Sequence, residues 1–241
     1  MKTKKESILY IVMPAYNEED NIENVVREWY PIIEKMNNNS KLVIADSGSV
    51  DKTHNILQKL KKELPMLEIL ENTNKQHGPK LIALYDYSIK QGADYIFQTD
   101  SDGQTNPKEF EEFWNLKNDY DVVLGHRKVR GDGKQRAFVE KVVCFLLKFY
   151  FKVDVPDANA PFRLMKTNVV EKYLNRLEPD YNLPNIMLTT YFSHYKEKLI
   201  FKEISFKPRQ GGINSINIPK IFKIGWKAIG DFRKFKNEMK K

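Results

Sequence analysis

The first half of the chain alternates between short apolar runs and longer segments with helical periodicity. Each run ends in polar or turn-forming residues, and the segment after it repeats apolar positions every three or four residues. The pairs are ILYIVMP with NIENVVREWYPIIEKM, KLVIADSGS with DKTHNILQKLKKEL, LEILENT with GPKLIALYDYSIKQG, and DYIFQTDSDG with NPKEFEEFWNLK, before a last run, YDVVLGHR. This alternation predicts an α/β fold, with a doubly wound, mostly parallel sheet and helices on both of its faces.

The second half has a different pattern, which fits additions to the same sheet. A long helical pattern, GKQRAFVEKVVCFLLKFYFKV, precedes a short strand-like run, APFRLMK, and KLIFKEISFKPR alternates as a strand does. We therefore expect one large domain over residues 1–215, followed by a basic C-terminal helix or tail over residues 216–241.

Composition excludes several classes of protein. The chain has 241 residues, of which 41% are hydrophobic and 30% charged, as in a globular protein with a full core. Its single cysteine, Cys144, excludes an internal disulfide, so the cytoplasm is the expected compartment. The apolar run near the start stops at Pro14 before a group of acids, which predicts a buried strand rather than a signal peptide. No run reaches the roughly 18 to 20 apolar residues that span a bilayer.

Polar clusters follow three of the predicted strands. They are Tyr16 to Glu18 after the first strand, Asp46 to Asp51 after the second, and Asp100 to Gln104 after the fourth. Ligands of open parallel sheets bind at the carboxyl ends of the strands. The three clusters are thus expected to form one site.

The third cluster allows two interpretations. Asp100, Asp102 and Gln104 offer oxygen atoms at alternate positions, and oxygen is the ligand that Mg²⁺ and Mn²⁺ prefer. Asp, Ser, Gly and Asn also favour turns, so the same residues could form a capped turn before the helix that begins near Pro107. From this stretch alone, both interpretations stay open.

Three ordered motifs narrow the choice. PAYNEEDNI, IADSGSVDKT and QTDSDGQTNP resemble, in that order, the Pro-x-Tyr-Asn-Glu, Asp-Asp-Gly-Ser-x-Asp and Asp-x-Asp motifs of the family 2 glycosyltransferases, which have the GT-A fold. The resemblance runs from about Leu9 to Ser215. The Asp-x-Asp-x-Gln form is similar to that of the dolichyl- and polyprenyl-phosphate sugar transferases.

The resemblance implies roles for particular residues. On the donor side, a nucleotide sugar would contact Pro14, Tyr16, Glu18, Asp46, Asp100, Ser101, Arg127 and Arg209. Mg²⁺ or Mn²⁺ on the sugar-nucleotide diphosphate would be held by Asp100, Asp102 and Gln104, with Asp102 also counted as catalytic. The acceptor side would include Arg163 and Ser215.

Asp157 is the candidate general base. A lipid phosphate acceptor is already an anionic nucleophile, whereas a sugar hydroxyl needs a carboxylate to take its proton. The resemblance implies that Asp157 lies near the acceptor and could be that carboxylate. The alternative for Asp157 is a loop residue that packs against Arg163.

Some positions depart from the family pattern. Ser47 replaces the second Asp of Asp-Asp-Gly-Ser, and Ala160 with Pro161 replaces a Ser-Gly pair. The lysine of the family's Arg-x-x-Gly-x-Ser-Lys segment falls on Ser215 when counted from Arg209, or on Ile216 when the serines are aligned.

The basic tail predicts a membrane contact. The net charge of +8 suggests an anionic partner. On a helical wheel, Ile218, Ile221, Phe222, Gly225, Ile229 and Phe232 share one face, with Trp226 at its edge, and Lys220, Lys223, Lys227 and Lys234 lie nearly opposite. An apolar face with a cationic face opposite is typical of a helix lying in a membrane surface, although a surface helix covering the sheet would show the same pattern.

The sequence leaves three candidate functions for this chain. The first is a metal-dependent, inverting transfer of a sugar from a GDP- or UDP-linked donor to a polyprenyl phosphate, by a peripheral protein on the inner, cytoplasmic face of the membrane. The second is transfer to the hydroxyl of a surface glycan. The third is an inactive protein that only binds sugar nucleotides. Nucleic acid is not an expected partner, because the basic residues concentrate in one amphipathic segment.

Overall fold

The computed structural model describes residues 7–129, 133–208 and 229–239. In this part of the chain, seven strands form one sheet in the order β3-β2-β1-β4-β6-β5-β7. The strands are β1 (Leu9–Ala15), β2 (Lys41–Asp46), β3 (Leu67–Leu70), β4 (Tyr95–Thr99), β5 (Val122–His126), β6 (Phe162–Lys166) and β7 (Leu199–Glu203).

Helices connect most of the strands. They are α1 (Ile22–Glu34), α2 (Thr53–Glu63), α3 (His77–Lys90), α4 (Phe110–Asn115), α5 (Lys134–Phe151), α6 (Thr167–Leu174) and α7 (Pro184–His194). A short 3₁₀ turn, Pro107–Glu109, precedes α4, and a last helix covers residues 229–238. Among the described residues, no helix combines the length and the hydrophobicity needed to cross a bilayer.

The sheet confirms the prediction of a mostly parallel arrangement. Every neighbouring pair of strands is parallel except those that involve β6, which is antiparallel to both β4 and β5. The runs expected to extend the sheet therefore do so, and APFRLMK supplies the antiparallel strand between two parallel sets.

Both faces of the sheet are covered, as the sequence pattern predicts. Along β1, Leu9 and Ile11 point into the core beneath α1 and α2, whereas Tyr10 and Val12 point into the core beneath α3, α6 and α7. Strands buried on both faces read as nearly continuous apolar runs rather than alternating ones. This explains why ILYIVMP carries almost no polar residue.

The order of the strands determines where a ligand can bind. The chain proceeds from β1 outward through β2 to β3, and then returns to place β4 on the other side of β1. Such a reversal opens a crevice at the carboxyl ends of the two central strands. The loops after β1 and β4 border this crevice.

The last helix packs on the protein. Phe232 and Phe235 are buried, and their rings lie 5.6 Å from the ring of Phe151 and 5.3 Å from that of Tyr181, respectively. Phe232 belongs to the face predicted to meet a membrane, but its side chain packs in the core of the protein instead. The described residues do not include Ile218, Ile221, Phe222, Gly225 and Trp226 of the same predicted face. The predicted domain boundary at residue 215 also lies outside the described residues.

Candidate active site

The structure brings together the three loops whose motifs the sequence singles out. The hydroxyl of Ser101 donates to the carbonyl of Pro14 at 2.8 Å, which ties the loop after β4 to the end of β1. The side chain of Asn17 accepts from the backbone of Val50 at 2.9 Å, and the backbone of Asn17 donates to the hydroxyl of Ser49 at 3.0 Å. These hydrogen bonds thus join the end of β1 both to the loop after β4 and to the loop after β2.

Asp46 lies buried at the end of β2. One carboxylate oxygen accepts from the hydroxyl of Ser49 at 2.5 Å, and the other lies 3.3 Å from Nδ1 of His54. These contacts hold the carboxylate in a fixed orientation at the end of β2, where the predicted contact with the nucleotide sugar would be made.

The residues after β1 divide into a structural and an accessible group. Glu18 is buried, its backbone N–H donates to the hydroxyl of Thr53 at 2.8 Å, and its carboxylate accepts from the side chain of Asn21 at 3.1 Å. Tyr16 is 40% exposed, so its ring can meet a ligand. Pro14 is buried within β1 and contributes its carbonyl to Ser101.

Lys80 is a residue of this site that the sequence analysis missed. Its ammonium group donates to the carbonyl of Ala15 and lies 5.3 Å from the centre of the Tyr16 ring. Burial lowers the pKa of Lys80 to about 8, although the charge of Asp46 acts in the opposite direction. The signal is a lysine one helical turn before Leu84, on a face of α3 that is buried.

The residues predicted to hold a metal occupy a tight turn after β4. Ser101 points inward, whereas Asp100 and Asp102 on either side of it are only partly buried. One oxygen of Asp102 accepts from the backbone N–H of Gln104 at 3.2 Å, and the amide nitrogen of Gln104 donates to the carbonyl of Lys207 at 2.8 Å. The cluster is therefore a structured turn whatever else it does.

This donor set fits a hard divalent cation that shares a bound diphosphate. Asp100 and Asp102, with one residue between them, supply two carboxylates. Divalent cation sites on nucleotides use one or two carboxylates, with phosphate oxygens and water as the other ligands. Across the described residues, no group of three or more His, Cys, Asp or Glu side chains gathers closely enough to hold a metal. A cation here would thus depend on oxygen atoms from its substrate.

Arg127 and Asp157 form a buried ion pair. Nε and Nη2 of Arg127 donate to the two carboxylate oxygens of Asp157, each at 2.8 Å, and Glu140 lies 3.5 Å from the same guanidinium. Burial acts to raise the pKa of Asp157, but the hydrogen bonds and charge of Arg127 outweigh it and hold that pKa below its ordinary value. Both carboxylate oxygens of Asp157 thus accept from Arg127, and the charge of Asp157 also acts on the guanidinium of Arg163, so packing against Arg163 stays a prediction.

Arg163 lies inside the core. Its Nη2 donates to the carbonyl of Asn185 at 3.2 Å and to the hydroxyl of Thr189 at 2.8 Å, while its Nε has no hydrogen-bond partner. Burial lowers the pKa of its guanidinium. In this position Arg163 joins β6 to α7, and its contact with an acceptor stays a prediction. The other predicted residues, Arg209 and Ser215, lie outside the described residues.

The family model of glycosyl transferase family 2 matches residues 10–174. The matched region contains the three joined loops and the pair formed by Arg127 and Asp157. The chain therefore belongs to glycosyl transferase family 2, and the predicted resemblance is confirmed.

Particular relatives refine the comparison. The chain is 25% identical over 203 residues to the undecaprenyl-phosphate 4-deoxy-4-formamido-L-arabinose transferase of Pseudomonas syringae pv. syringae, covering 83% of this chain and 59% of that protein. It is 26% identical over 192 residues to the UDP-N-acetylglucosamine–dolichyl-phosphate N-acetylglucosaminyltransferase of Methanococcus voltae, covering 70% and 74% of the two chains. The chain thus spans little more than half of the first of these relatives.

A solved structure supports the fold. Glucosyl-3-phosphoglycerate synthase of Mycobacterium tuberculosis, in complex with Mn²⁺, UDP-glucose and glycerol 3-phosphate, superposes with a TM-score of 0.66 at 15% identity. The match covers 91% of this chain and 75% of that one. The predicted GT-A fold is confirmed by this likeness and by the family model.

Proposed function

We propose that this protein transfers a sugar, with inversion, from a GDP- or UDP-linked donor to a polyprenyl phosphate at the cytoplasmic face of a membrane. The observation that carries the proposal is the junction of three motif loops at the crevice between β1 and β4, with Asp100 and Asp102 turned away from the buried Ser101. Family membership supports the reaction class, and the relatives named above support a lipid phosphate as acceptor.

The donor would lie across the three loops. The nucleoside would stack near Tyr16 and reach Asp46, while the diphosphate would face Asp100 and Asp102. Mg²⁺ or Mn²⁺ bound there would neutralise the negative charge that develops on the leaving nucleoside diphosphate. Asp100 and Asp102 would hold this cation in place and so orient the diphosphate of the leaving group.

The state of Asp157 favours a phosphate acceptor over a glycan hydroxyl. A hydroxyl must lose its proton to a base, and a base is most effective when its pKa lies near the working pH. Asp157 has a lowered pKa and both of its oxygens accept from Arg127. A phosphate oxygen is already ionised and needs no such base, so the glycan acceptor is the second candidate.

Helix α5 supports a peripheral membrane contact. Phe138, Val142, Phe145 and Phe149 are 67%, 41%, 67% and 58% exposed, respectively, and their spacing places them on one face of the helix. Two exposed lysines, Lys141 and Lys148, lie beside this face, and Lys148 pairs with Asp154. An apolar face accompanied by cations suits the surface of an anionic bilayer.

The other side of α5 carries Glu140, which contacts Arg127, so the same helix would link the membrane to the site.

The test combines a binding assay and a transfer assay. Melting curves with UDP and GDP, each with and without Mn²⁺, should show stabilisation by one nucleotide that requires the metal. Incubation with labelled nucleotide sugars and undecaprenyl phosphate should give a labelled product that extracts into organic solvent. The Asp100→Ala, Asp102→Ala double variant should lose at least about 100-fold in rate, whereas a variant of the exposed loop residue Asp119→Ala should keep it.

Two results would contradict the proposal. Full turnover in the double variant would show that the two carboxylates do not serve the reaction. Transfer to glycan fragments with no lipid product across the tested donors would replace the acceptor by a glycan hydroxyl.

A further inference from the structure

A line of polar side chains runs through the core and ends at Asp100. It consists of Tyr85 from α3, Asn185 from α7 and Gln98 from β4. Their exposed fractions are 0%, 2% and 0%, respectively. Buried polar side chains cost stability unless they are hydrogen-bonded, so a line of three requires a reason.

The line is a continuous series of hydrogen bonds. The hydroxyl of Tyr85 donates to Oδ1 of Asn185 at 2.7 Å, and Nδ2 of Asn185 donates to Oε1 of Gln98 at 3.0 Å. Nε2 of Gln98 then donates to Oδ1 of Asp100 at 3.2 Å. Each amide accepts on one side and donates on the other.

An ionised Asp100 permits only one direction for this series. A carboxylate can only accept, so Gln98 must turn its NH₂ group toward Asp100 and its oxygen toward Asn185. Asn185 must then present its own NH₂ group to Gln98 and its oxygen to Tyr85, which has to donate. Burial raises the pKa of the Tyr85 hydroxyl, and the charge of Asp100 acts in the same sense, so this hydroxyl keeps its proton.

Rigid elements hold the members of the series. Gln98 lies at the centre of the sheet, paired with Val12 of β1 on one side and with Arg163 of β6 on the other. The backbone carbonyl of Asn185 accepts from Arg163, which fixes the start of α7 relative to the sheet. The donor that reaches Asp100 therefore has little freedom to move.

We propose that Tyr85, Asn185 and Gln98 are positioning residues that hold the Asp100 carboxylate in the orientation required to bind a divalent cation. This inference rests on the proposed function, in which Asp100 contributes to the metal site. The donor from Gln98 fixes Oδ1 and so restricts rotation of the carboxylate. Residues that orient a metal ligand from behind typically change metal affinity about 10- to 100-fold when they are replaced.

The experiment measures Mn²⁺ binding directly. Free Mn²⁺ is followed by electron paramagnetic resonance during titration of the whole protein with saturating UDP, or with GDP if GDP is the stabilising nucleotide. Gln98→Met keeps the volume but removes the last donor, and should weaken Mn²⁺ binding about tenfold or more. Tyr85→Phe removes only the first donor and leaves Asn185 free to turn, so a smaller loss of about two- to fivefold is expected.

Tyr173→Phe is the matched control. Tyr173 is as buried as Tyr85 and lies in the same core, but its hydroxyl donates to Glu197 instead of toward Asp100. It should lose stability in metal-free melting curves while its Mn²⁺ affinity stays that of the unaltered protein. If Gln98→Met proves too unstable to measure, Tyr85→Phe against Tyr173→Phe still decides the question.

The outcomes separate this inference from the function on which it rests. Unaltered affinity in Gln98→Met and Tyr85→Phe, or an equal loss in Tyr173→Phe, would overturn the positioning role. An unaltered protein that binds both nucleotides equally well with and without Mn²⁺ would instead show that the proposed metal site is wrong.

Discussion

At the scale of single residues, the ion pair of Arg127 and Asp157 is both a structural and a functional constraint. The pair is buried, and its two side-chain hydrogen bonds are each 2.8 Å long, while the backbone N–H of Arg127 also donates to Asp157 at 3.2 Å. Removal of Asp157 leaves the charge of Arg127 in the core with less compensation, although Glu140 lies 3.5 Å from the guanidinium. Asp157 therefore fixes the orientation of the Arg127 guanidinium, and a ligand of Arg127 would have to bind the guanidinium in that orientation.

Asp157→Asn should destabilise the fold. At pH 7 we expect the free energy of unfolding to fall by about 3–5 kcal/mol, measured by urea denaturation. Asp154 lies three residues before Asp157 and forms an exposed pair with Lys148, so Asp154→Asn should cost less than about 1 kcal/mol.

The effect of Asp157 should also depend on pH. Because the pKa of Asp157 is lowered in the folded protein, its contribution is complete above the unfolded value of about 3.9 and is lost as the pH falls through the folded value. The stability difference between the unaltered protein and Asp157→Asn should stay constant from pH 7 to about pH 5 and shrink below about pH 4. A difference that grew on acidification would contradict the assignment.

The sequence predicts some residues of the site and not others, for a physical reason. Asp46, Asp100 and Asp102 stand at strand ends, where polar residues break an apolar run and can be located by pattern. Lys80 and Asn185 lie within helices, and their burial depends on how those helices pack on the sheet. Gln98 offered a signal, as a polar side chain inside a strand that is otherwise apolar.

At the scale of elements, α5 presents an apolar face that the described residues leave exposed. Phe138, Phe145 and Phe149 are each more than half exposed, although transfer of an aromatic side chain out of water stabilises by roughly 1.5–3 kcal/mol. Such a face indicates an interaction surface rather than a core element.

Replacement of Phe138, Phe145 and Phe149 by Ser should weaken binding to phosphatidylglycerol-containing vesicles by at least about tenfold in a cosedimentation assay, because each ring loses its burial in the bilayer surface. The melting temperature should not fall, since these rings are exposed in the folded protein. Val50→Ser removes an exposed apolar side chain from a loop and serves as the control. Unchanged vesicle binding in the triple variant would remove α5 from the proposed membrane contact.

The strands were predicted from the sequence, whereas α6 and α7 were not. Periodicity located every strand named above, but it could not show that β6 runs antiparallel, because direction follows from the length and path of the connection. The wheel placed Phe232 on an apolar face and left open whether that face meets lipid or protein. The structure places this residue in the core.

At the scale of the whole molecule, the net charge of +8 should act on any anionic surface. Screening shortens the reach of charges from about 10 Å at 0.1 M salt to about 3 Å at 1 M. Binding to phosphatidylglycerol-containing vesicles should therefore become at least about tenfold weaker between roughly 0.05 M and 0.5 M NaCl. Binding to phosphatidylcholine vesicles should be weak at both salt concentrations. Equal binding to the two lipids would show that charge does not direct the protein to its surface.

The place of β6 has a consequence for synthesis of the chain. β4 and β5 are consecutive in sequence, yet β6, made some forty residues after β5 begins, separates them in the sheet. While the nascent polypeptide extends only through β5, neither strand has acquired the neighbour that it keeps in the mature sheet on that side, and open strand edges invite association with other chains. Emergence of residue 166 from the ribosome thus marks the moment at which the two halves of the sheet can first be joined.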